Sequence, residues 1–413
     1  MVALIIINAT LALIFACCYS FQMAYLIIPL VKKLKKHPDA EPSRIAVLIA
    51  AKNEEAVIGD LIASIKDADY PEELIEIFVC ADNCTDRTAE AAREHGACVY
   101  ERSNREQIGK GYVLDFLLKR IDRDFGEDAF DAFVVFDADN LVDPQYFTEV
   151  NRVFAAGYDV VTCYRNSKNY GDNWLSAGSG LWFIRESRYL NGSRMRIGAC
   201  PQVSGTGFLF SNSLKKELGG WPYHTMTEDY EFTCDSVIRG RKFAYCEDAV
   251  FYDEQTSSFS QSFNQRLRWC KGGIQSFRKY GKELLPALFS KNFVAAYDML
   301  MSVAPAYAIA VLTTTVNMIF IFWLTAFGGV SLLEAITPML IMIAAVYIVV
   351  FINALVPTLS EWKRIKAKNY KKILYMFTFP VYMVTFIPAC IVALCKKNVV
   401  WKKIDHGNKK NRE

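Results

Sequence analysis

The sequence carries almost no net charge and very little histidine. Its 413 residues include 47 Lys and Arg against 44 Asp and Glu, a formal net charge of +3, and only 4 His. A balanced chain of this kind sets up no strong overall electric field, so we expect no nucleic-acid partner. The histidines lie too far apart in the sequence to suggest a metal cluster: His37, His95, His224 and His406.

The 12 cysteines show none of the spacings that bind zinc. The nearest pairs are Cys17 with Cys18, inside an apolar run, and Cys80 with Cys84. We therefore expect free thiols in a reducing compartment rather than a disulfide framework.

The sequence also lacks a glycine-rich phosphate loop. Neither GxGxxG nor the Walker lysine motif occurs, although both are common ways of holding phosphate at the N-terminus of a helix. If the protein binds a nucleotide, the charge of its diphosphate must be met in another way.

Hydrophobic residues, by contrast, are abundant. They make up 52% of the chain, aromatic residues make up 14%, and the mean hydropathy is +0.13. These values exclude disorder as the main state, and they are high for a soluble protein but low for a bundle that lies wholly in a membrane. We therefore expect a chain that is part membrane and part soluble, with room for roughly two or three structural units.

Long charge-free runs predict the membrane part. Residues 1–31 contain no charged side chain and are followed at once by four lysines, which predicts an N-terminal transmembrane helix with the following chain in the cytoplasm. Three further charge-free runs, 299–333, 335–360 and 373–395, exceed the ~20 residues that a bilayer core requires. They predict a C-terminal transmembrane region of about three spans over residues 291–397, followed by a basic tail, 398–413.

The number of spans conflicts with the distribution of positive charge. The loop 361–372 is rich in Lys and Arg and belongs in the cytoplasm, but four crossings would leave the equally basic tail outside. The run that contains Pro380 and Pro388 is a candidate for a broken or re-entrant segment. The sequence leaves this alternative open.

Residues 43–257 alternate between apolar strands and amphipathic helices, which predicts a cytosolic, Rossmann-like α/β domain. Residues 45–51 form a continuous apolar run of the kind found in buried parallel strands, and the runs 75–80 and 133–136 predict two further strands. Asp82 and Asp137 follow two of these runs almost directly. Because ligands bind at the carboxyl ends of such strands, both side chains should lie at one crevice.

Polar residues at these strand ends suggest how a nucleotide would be held. Asp82, with Asn53 and Glu54 after the first strand, has the groups to bind a base and a ribose. Asp137 and Asp139 form a DxD pair, and a divalent metal held by their carboxylates would supply the missing positive charge for a diphosphate. An acidic pair of this kind is also common in ordinary loops.

Two further patterns occur in the second half of this domain. Gly205, Thr206 and Gly207 precede a short apolar strand and form either a simple turn or a wall that approaches a sugar closely. Glu228 and Asp229 stand at the start of a helix, where acidic residues also have a purely structural explanation.

Residues 258–290 predict an amphipathic helix that rests at the membrane interface. Apolar side chains recur along one face of this helix: Phe259, Phe263, Leu267, Cys270, Ile274 and Phe277. This interpretation accounts for the apolar face and for the lysines opposite it. It does not account for Gln265, Arg268 and Trp269 occurring together.

The order of these motifs resembles the family 2 glycosyltransferases of GT-A fold. It is most similar to their membrane-embedded processive branch, the cellulose, hyaluronan, chitin-oligomer and poly-N-acetylglucosamine synthases. The resemblance extends over residues 44–282 and rests on these motifs in this order: Asn53-Glu54-Glu55, Asp82 with Asp86, Asp137-Ala138-Asp139, Thr227-Glu228-Asp229 and Gln265-x-x-Arg268-Trp269. Lys110, between two glycines, is similar to a family lysine that approaches the donor. No PilZ domain follows the last apolar run, so regulation of that kind is not expected within this chain.

The resemblance implies a UDP-sugar donor and inversion at its anomeric carbon. Asp229 would be the general base, with Glu228 beside it, and Mg²⁺ or Mn²⁺ would sit on Asp137 and Asp139. Arg268 would contact the diphosphate, and Trp269 would offer a flat face to an acceptor sugar. Gln265 and the 205–207 segment would complete the acceptor site.

Three functions compete on this basis. The leading hypothesis is a multi-pass enzyme of the cell membrane that adds N-acetylglucosamine or glucose to a β-linked polysaccharide and exports the polymer. The second is a transferase that adds one sugar to a lipid, and the third is a membrane scaffold without enzymatic activity. The sequence does not identify the donor sugar, the linkage or any accessory protein.

Overall fold

The computed structural model describes residues 2–303, 306–397 and 399, so the predicted basic tail lies outside the described residues apart from Val399. Within them eight strands form one sheet: β1 Ile45–Ala51, β2 Ile75–Asp82, β3 Cys98–Arg102, β4 Ala132–Asp137, β5 Leu141–Val142, β6 Val160–Ser167, β7 Phe208–Ser211 and β8 Phe243–Asp253. The α-helices of the catalytic half are α3 Ile58–Lys66, α4 Thr88–Glu94, α5 Lys110–Phe125, α6 Tyr146–Phe154, α7 Trp174–Ile184, α8 Gly192–Ile197, α9 Asn212–Leu218, α10 Glu228–Arg239 and α11 Phe259–Ala287. The remaining helices are α1 Val2–Tyr19, α2 Phe21–Val31, α12 Phe293–Val303, α13 Ala306–Ala326, α14 Leu332–Ser360, α15 Asn369–Val384 and α16 Phe386–Cys395.

The sheet is mixed, with strand order β3-β2-β1-β4-β7-β6-β8-β5. The first four strands in this order are parallel, and β7 runs antiparallel between β4 and β6. Successive β1 residues point to opposite faces, so Val47 and Ile49 belong to one apolar cluster and Ala46 and Leu48 to the other. Helices cover both faces, which explains why the strand is almost wholly apolar.

The register of the parallel strands brings their polar ends together. Ala51 pairs with Ala81, and Ala50 pairs with Asp137. The side chains that follow β1, β2 and β4 therefore emerge at one edge of the sheet, as the sequence predicted.

Among the described residues, four helical segments are long and apolar enough to cross a membrane. These are Val2–Val31, which includes α1 and α2, then Ile309–Ala326, Leu332–Ser360 and Asn369–Cys395. The predicted run 299–333 differs from the structure, because it begins inside α12, a shorter helix that packs in the protein core. Met299 and Leu300 belong to a buried cluster with Leu284 of α11, and Asp298 pairs with Arg194 of the catalytic half.

The last apolar segment is broken, as Pro380 and Pro388 suggested. Helix α15 ends at Val384 and α16 begins at Phe386. Helix α15 lies against α7 so closely that a Cβ at Gly178 would come within 2.4 Å of the Tyr382 ring. In the most apolar stretch of this segment 39% of the residues are buried, against 6% in α14.

Candidate active site

A lysine at the start of α5 reaches the first carboxylate of the DxD pair. Lys110 donates to the Asp137 carboxylate and, at 2.8 Å, to the Gly205 carbonyl oxygen. A Cβ at Gly111 would lie 1.9 Å from the Tyr223 carbonyl oxygen, so only glycine permits this approach. The structure thus joins the end of β4, the start of α5 and the 205–207 segment at one point.

The 205–207 segment is fixed by side chains of the DxD loop. The Asp137 backbone N–H donates to the Thr206 hydroxyl at 2.9 Å, and the same hydroxyl bonds to the Asn140 amide oxygen. Gly207 has a φ of 62°, and a Cβ there would come within 2.0 Å of the Phe251 ring. The segment is therefore a rigid wall of the crevice and more than a surface turn.

The two DxD carboxylates differ in charge environment. Burial raises the pKa of Asp137, but the charges of Lys110, Arg165 and Arg268 outweigh it and hold that pKa below its usual range. Burial, with the nearby carboxylates of Asp253 and Asp137, raises the pKa of Asp139 well above its usual range. A cation beside Asp139 would relieve this accumulation of negative charge.

We tested whether the donor groups present suit a divalent metal. Among the described residues no group of three or more His, Cys, Asp or Glu side chains has the arrangement of a metal site. Asp137 and Asp139 nevertheless offer carboxylate oxygens, which Mg²⁺ and Mn²⁺ prefer. The pair fits a cation whose remaining ligands are water and diphosphate oxygens.

The predicted general base lies next to the 205–207 wall. Asp229 is in the first turn of α10, and a Cβ at Gly205 would be 3.6 Å from its Oδ2 atom. Burial and the charge of Glu186 raise the pKa of Asp229 to about 6, although Lys110 opposes them. Burial and the Asp229 charge raise the pKa of Glu228 to about 8.

Helix α11 brings the third motif to the same crevice. It packs tightly on the start of α10, because a Cβ at Gly272 would come within 2.2 Å of the Thr227 hydroxyl. Burial lowers the pKa of Arg268, whereas the carboxylates of Glu228, Asp137 and Asp229 act to raise it. The guanidinium of Arg268 therefore faces the carboxylates of both the DxD pair and the base.

The other two residues of this motif lie towards the last helices. Trp269 stacks on Phe386 of α16 with 6.4 Å between ring centroids and meets Phe183 edge-on at 5.7 Å. Gln265 is half-buried one turn before it. Along α11, Phe259 and Phe277 of the predicted apolar face are exposed, whereas the cationic side chains of Arg266 and Lys271 are buried.

The residues predicted to bind the nucleotide base and the ribose lie at the strand ends, and one of them, Asp82, already has a protein partner. Asp82 is buried and accepts a hydrogen bond from Arg102 at 2.6 Å. Asn53 has a φ of 59°, and its amide oxygen accepts from the Thr85 N–H at 2.7 Å. The backbone N–H of Glu54 donates to the Thr88 hydroxyl. Asn53 and Glu54 thus hold the loop that borders this part of the crevice.

Sequence reasoning did not identify several charged residues that build the site. Arg165 on β6 pairs with Asp253 at the end of β8 and donates to the Ser204 carbonyl oxygen. The buried Glu186 lies close enough to Asp229 for their charges to interact. A strand-end position could have indicated Asp253, but no local pattern distinguishes Arg165 or Glu186 from surface residues.

A mixed, helix-covered sheet with an acidic crevice at its carboxyl edge defines this protein as a GT-A-type α/β enzyme with added apolar helices. Residues 42–272 match the family described as glycosyltransferase like family 2. The chain therefore belongs to this family.

Known proteins resemble the chain over different lengths. A β-monoglucosyldiacylglycerol synthase of Synechocystis sp. is 26% identical over 243 residues, 57% of this chain and 49% of the relative. The chain thus spans about half the length of that relative. A poly-β-1,6-N-acetyl-D-glucosamine synthase of Staphylococcus epidermidis is 21% identical over 406 residues, 91% of this chain and 90% of the relative.

Among solved structures, a mannosyltransferase from Pyrobaculum calidifontis in complex with GDP-Man and Mn²⁺ has a TM-score of 0.57. It is 18% identical, and the match covers 96% of this chain and 100% of that one. At this identity the similarity concerns the fold.

Proposed function

We propose that the protein transfers N-acetylglucosamine or glucose, with inversion, from a UDP-sugar to the end of a growing β-linked polysaccharide. The observation that carries this proposal is the convergence of Lys110, Asp137, Asp229 and Arg268 on the 205–207 wall. The DxD pair, the two positive groups and a carboxylate with a raised pKa therefore border one crevice. Together they can hold a diphosphate leaving group and an attacking hydroxyl around the same sugar.

On the donor side, the ammonium of Lys110 and the guanidinium of Arg268 bind diphosphate oxygens by charge-assisted hydrogen bonds. Asp137 and Asp139 would hold Mg²⁺ or Mn²⁺, which when bound offsets the negative charge of the departing UDP. Asn53, Glu54 and Asp82 border the space for the base and ribose. Arg102 fixes the Asp82 carboxylate at 2.6 Å, so this side of the pocket is preorganised.

On the acceptor side, Asp229 removes the proton from the attacking hydroxyl oxygen. A pKa of about 6 leaves Asp229 ionised at neutral pH and makes it a stronger base than an ordinary aspartate. Glu228, with a pKa of about 8, keeps its proton and adds no second negative charge. General bases of this kind contribute a factor of ~10²–10⁴ to the rate.

Similarity over almost the whole chain favours a polymer as product. The match to the poly-β-1,6-N-acetyl-D-glucosamine synthase includes the apolar helices, covering 91% of this chain. Helix α11 carries Gln265 and Trp269 and contacts the last helices, so an acceptor end held there is next to the membrane part. This arrangement supports export of the polymer along the helices as it grows.

A single addition to a lipid is the second candidate. It is favoured by the identity of 26% to the β-monoglucosyldiacylglycerol synthase within the catalytic domain. The two candidates share the donor site and differ in the acceptor, which is either a sugar chain or a lipid headgroup.

We further propose a multi-pass protein of the cell membrane whose catalytic domain faces the cytoplasm. Both ends of α15 contact the catalytic domain, because Lys371 donates to the Gly171 carbonyl oxygen and Tyr382 lies against Gly178. Because both ends of α15 are held against the catalytic domain, α15 and α16 remain on the cytoplasmic side of the membrane. The chain then crosses the membrane three times. The basic tail would then lie inside, in agreement with the positive-inside rule.

Product analysis tests the proposed reaction. The purified protein in lipid nanodiscs is incubated with radiolabelled UDP-N-acetylglucosamine, UDP-glucose or GDP-mannose, and the products are separated by length. We expect UDP-sugar to give a polymer, Asp229→Asn to abolish transfer while UDP still binds, and Asp248→Asn, an exposed control, to be active. Single-sugar glycolipids as the sole product would replace the first candidate by the second.

A further inference from the structure

The segment between α7 and α8 has an unusual backbone. Residues Arg185–Asn191 form a π-helix of 7 residues, wider than the α-helices on either side. Such π-helical insertions occur often at functional sites, because the extra residue redirects side chains from their regular positions. Here the segment presents Glu186 to the interior of the protein.

Glu186 is buried and incompletely paired. Its side chain is 6% exposed, and in the described part of the chain its Oε1 atom has no hydrogen-bond partner. Other buried carboxylates in this region are well satisfied: Asp253 accepts from Arg165, Asn140 and Gln255, and Glu231 accepts from two backbone N–H groups. A buried carboxylate oxygen without a donor is costly, so it indicates a group that a ligand supplies.

The arginines near Glu186 supply charge, but their own hydrogen bonds go elsewhere. Arg194 makes a two-point ion pair with Asp298, and Arg165 pairs with Asp253. Arg185 donates to Asn353 of α14 and to Gln22 of α2. Burial raises the pKa of Glu186, and these three positive charges oppose that rise.

The segment that carries Glu186 lies next to the 205–207 wall. The hydroxyl of its neighbour Ser187 accepts a hydrogen bond from the Arg165 backbone N–H, and the Arg165 side chain donates to the carbonyl oxygen of Ser204. The next residue, Gly205, lies beside the Asp229 carboxylate. The charge of Glu186 acts on Asp229 and Tyr230. The strongest charges on Asp137 and Asp139 come from other residues.

We propose that Oε1 of Glu186 accepts a hydrogen bond from a hydroxyl group of the acceptor sugar, next to the hydroxyl that Asp229 deprotonates. Glu186 is thus an acceptor-binding residue that orients the attacking sugar. The inference rests on the proposed function, because it requires an acceptor that carries hydroxyl groups.

Steady-state kinetics test this role. Glu186→Met keeps the size of the side chain and removes both acceptor oxygens, and Glu186→Gln keeps one of them. With UDP-N-acetylglucosamine as donor and a short β-linked N-acetylglucosamine oligomer as acceptor, we expect Glu186→Met to raise the acceptor KM by about tenfold or more, the loss of one hydrogen bond to a charged group. Glu186→Gln should recover most of this loss, and the KM for the donor should stay unchanged in both variants. Diacylglycerol vesicles, whose lipid has a single hydroxyl, are the second acceptor, and their KM should not change.

A matched control separates binding from folding. Glu76 on β2 is a partly buried glutamate near the opposite end of its strand, and Glu76→Met should leave both KM values unchanged. An unchanged acceptor KM in a folded Glu186→Met protein, or an equal rise in donor KM, would overturn the inference and leave the proposed function intact. If the wild-type protein transfers sugar to neither acceptor, the proposed function fails and the inference fails with it.

Discussion

At the scale of single residues, burial assigns different protonation states to neighbouring carboxylates. Asp229 and Glu228 are adjacent in the first turn of α10, and burial is the largest cause of both shifts. The pKa of Asp229 is raised to about 6 and that of Glu228 to about 8. Between these values one group is ionised and the other is protonated, so the pair offers a single base.

We predict that kcat/KM falls as the pH drops below about 6, by about tenfold per pH unit, because Asp229 must lose its proton to act as a base. Two charged groups shift the position of this acid limb of the pH–rate profile: Glu186 raises the pKa of Asp229, and Lys110 lowers it. Glu228→Gln should leave the limb near pH 6, since Glu228 is still protonated there. A limb near pH 4 in the pH–rate profile, the ordinary range of an aspartate, would contradict a desolvated base.

Lys110 allows a second prediction at this scale. Lys110→Met removes a charge-assisted hydrogen bond to the donor, so UDP binding measured by calorimetry should weaken by about ten- to a hundredfold. Lys119→Met is the matched control, because Lys119 lies on the same helix and pairs with Asp115 at the surface. Equal affinities in the two variants would remove Lys110 from the donor site.

At the scale of elements, two buried cations join α11 to α16. Arg266 donates to the Tyr382 carbonyl oxygen and to the Thr385 hydroxyl, at the break between α15 and α16. Lys271 donates to the carbonyl oxygens of Ala393 and Lys396, at the C-terminal end of α16. The last turn of a helix leaves such carbonyl groups unpaired, and a lysine there is favourable. The α11 turn that carries Gln265, Arg268 and Trp269 is therefore held from both ends of α16.

We predict that Arg266→Leu destabilises the detergent-solubilised protein by about 1–3 kcal/mol, because the Tyr382 carbonyl oxygen and the Thr385 hydroxyl lose their buried donor. It should also lower kcat more than it changes UDP affinity, because the Gln265–Trp269 turn loses its support. Arg266→Lys should restore part of both, and Arg278→Leu, exposed on the same helix, should match the wild type. Normal kcat in a folded Arg266→Leu protein would show that the joint does not position the motif.

At the scale of the whole molecule, the helices divide into two kinds. Helices α13 and α14 are largely exposed along their apolar surfaces, whereas α15 is closely packed on the catalytic domain. The loop after α14 is anchored as well, since Asn166 of β6 donates to the Arg364 carbonyl oxygen. Three crossings and a cytoplasmic pair α15–α16 agree with these contacts.

Thiol labelling in intact cells checks this topology. In a background without the 12 native cysteines, a cysteine at Gly329, between α13 and α14, should react with a membrane-impermeant reagent. A cysteine that replaces Lys402 in the tail should react only after the membrane is permeabilised. Labelling of the tail in intact cells would mean that α15 and α16 cross the bilayer.

The sequence predicted those features that depend on local pattern. Apolar runs located β1, β2 and β4, and the residues that end them lie at one edge of the sheet, as expected. The buried charges were missed, because Arg165, Glu186 and Arg266 resemble solvent-exposed residues until distant segments pack around them. The run 299–333 was misjudged for a related reason: α12 is apolar because it contacts α10 and α11 in the core, a fact that composition alone does not reveal.

The carboxylate of Glu361 at the C-terminal end of α14 links this helix to the α/β domain. It accepts a hydrogen bond from Tyr164 of β6 at 2.8 Å and pairs with Arg188 of the π-helical segment at 2.8 Å, and it is 3% exposed. A change in the tilt of α14 must therefore move β6 and the segment that carries Glu186, or break a buried ion pair. In the proposed topology the tilt of α14 responds to the thickness of the bilayer, so lipid chain length becomes a variable that acts on the geometry of the proposed sugar transfer.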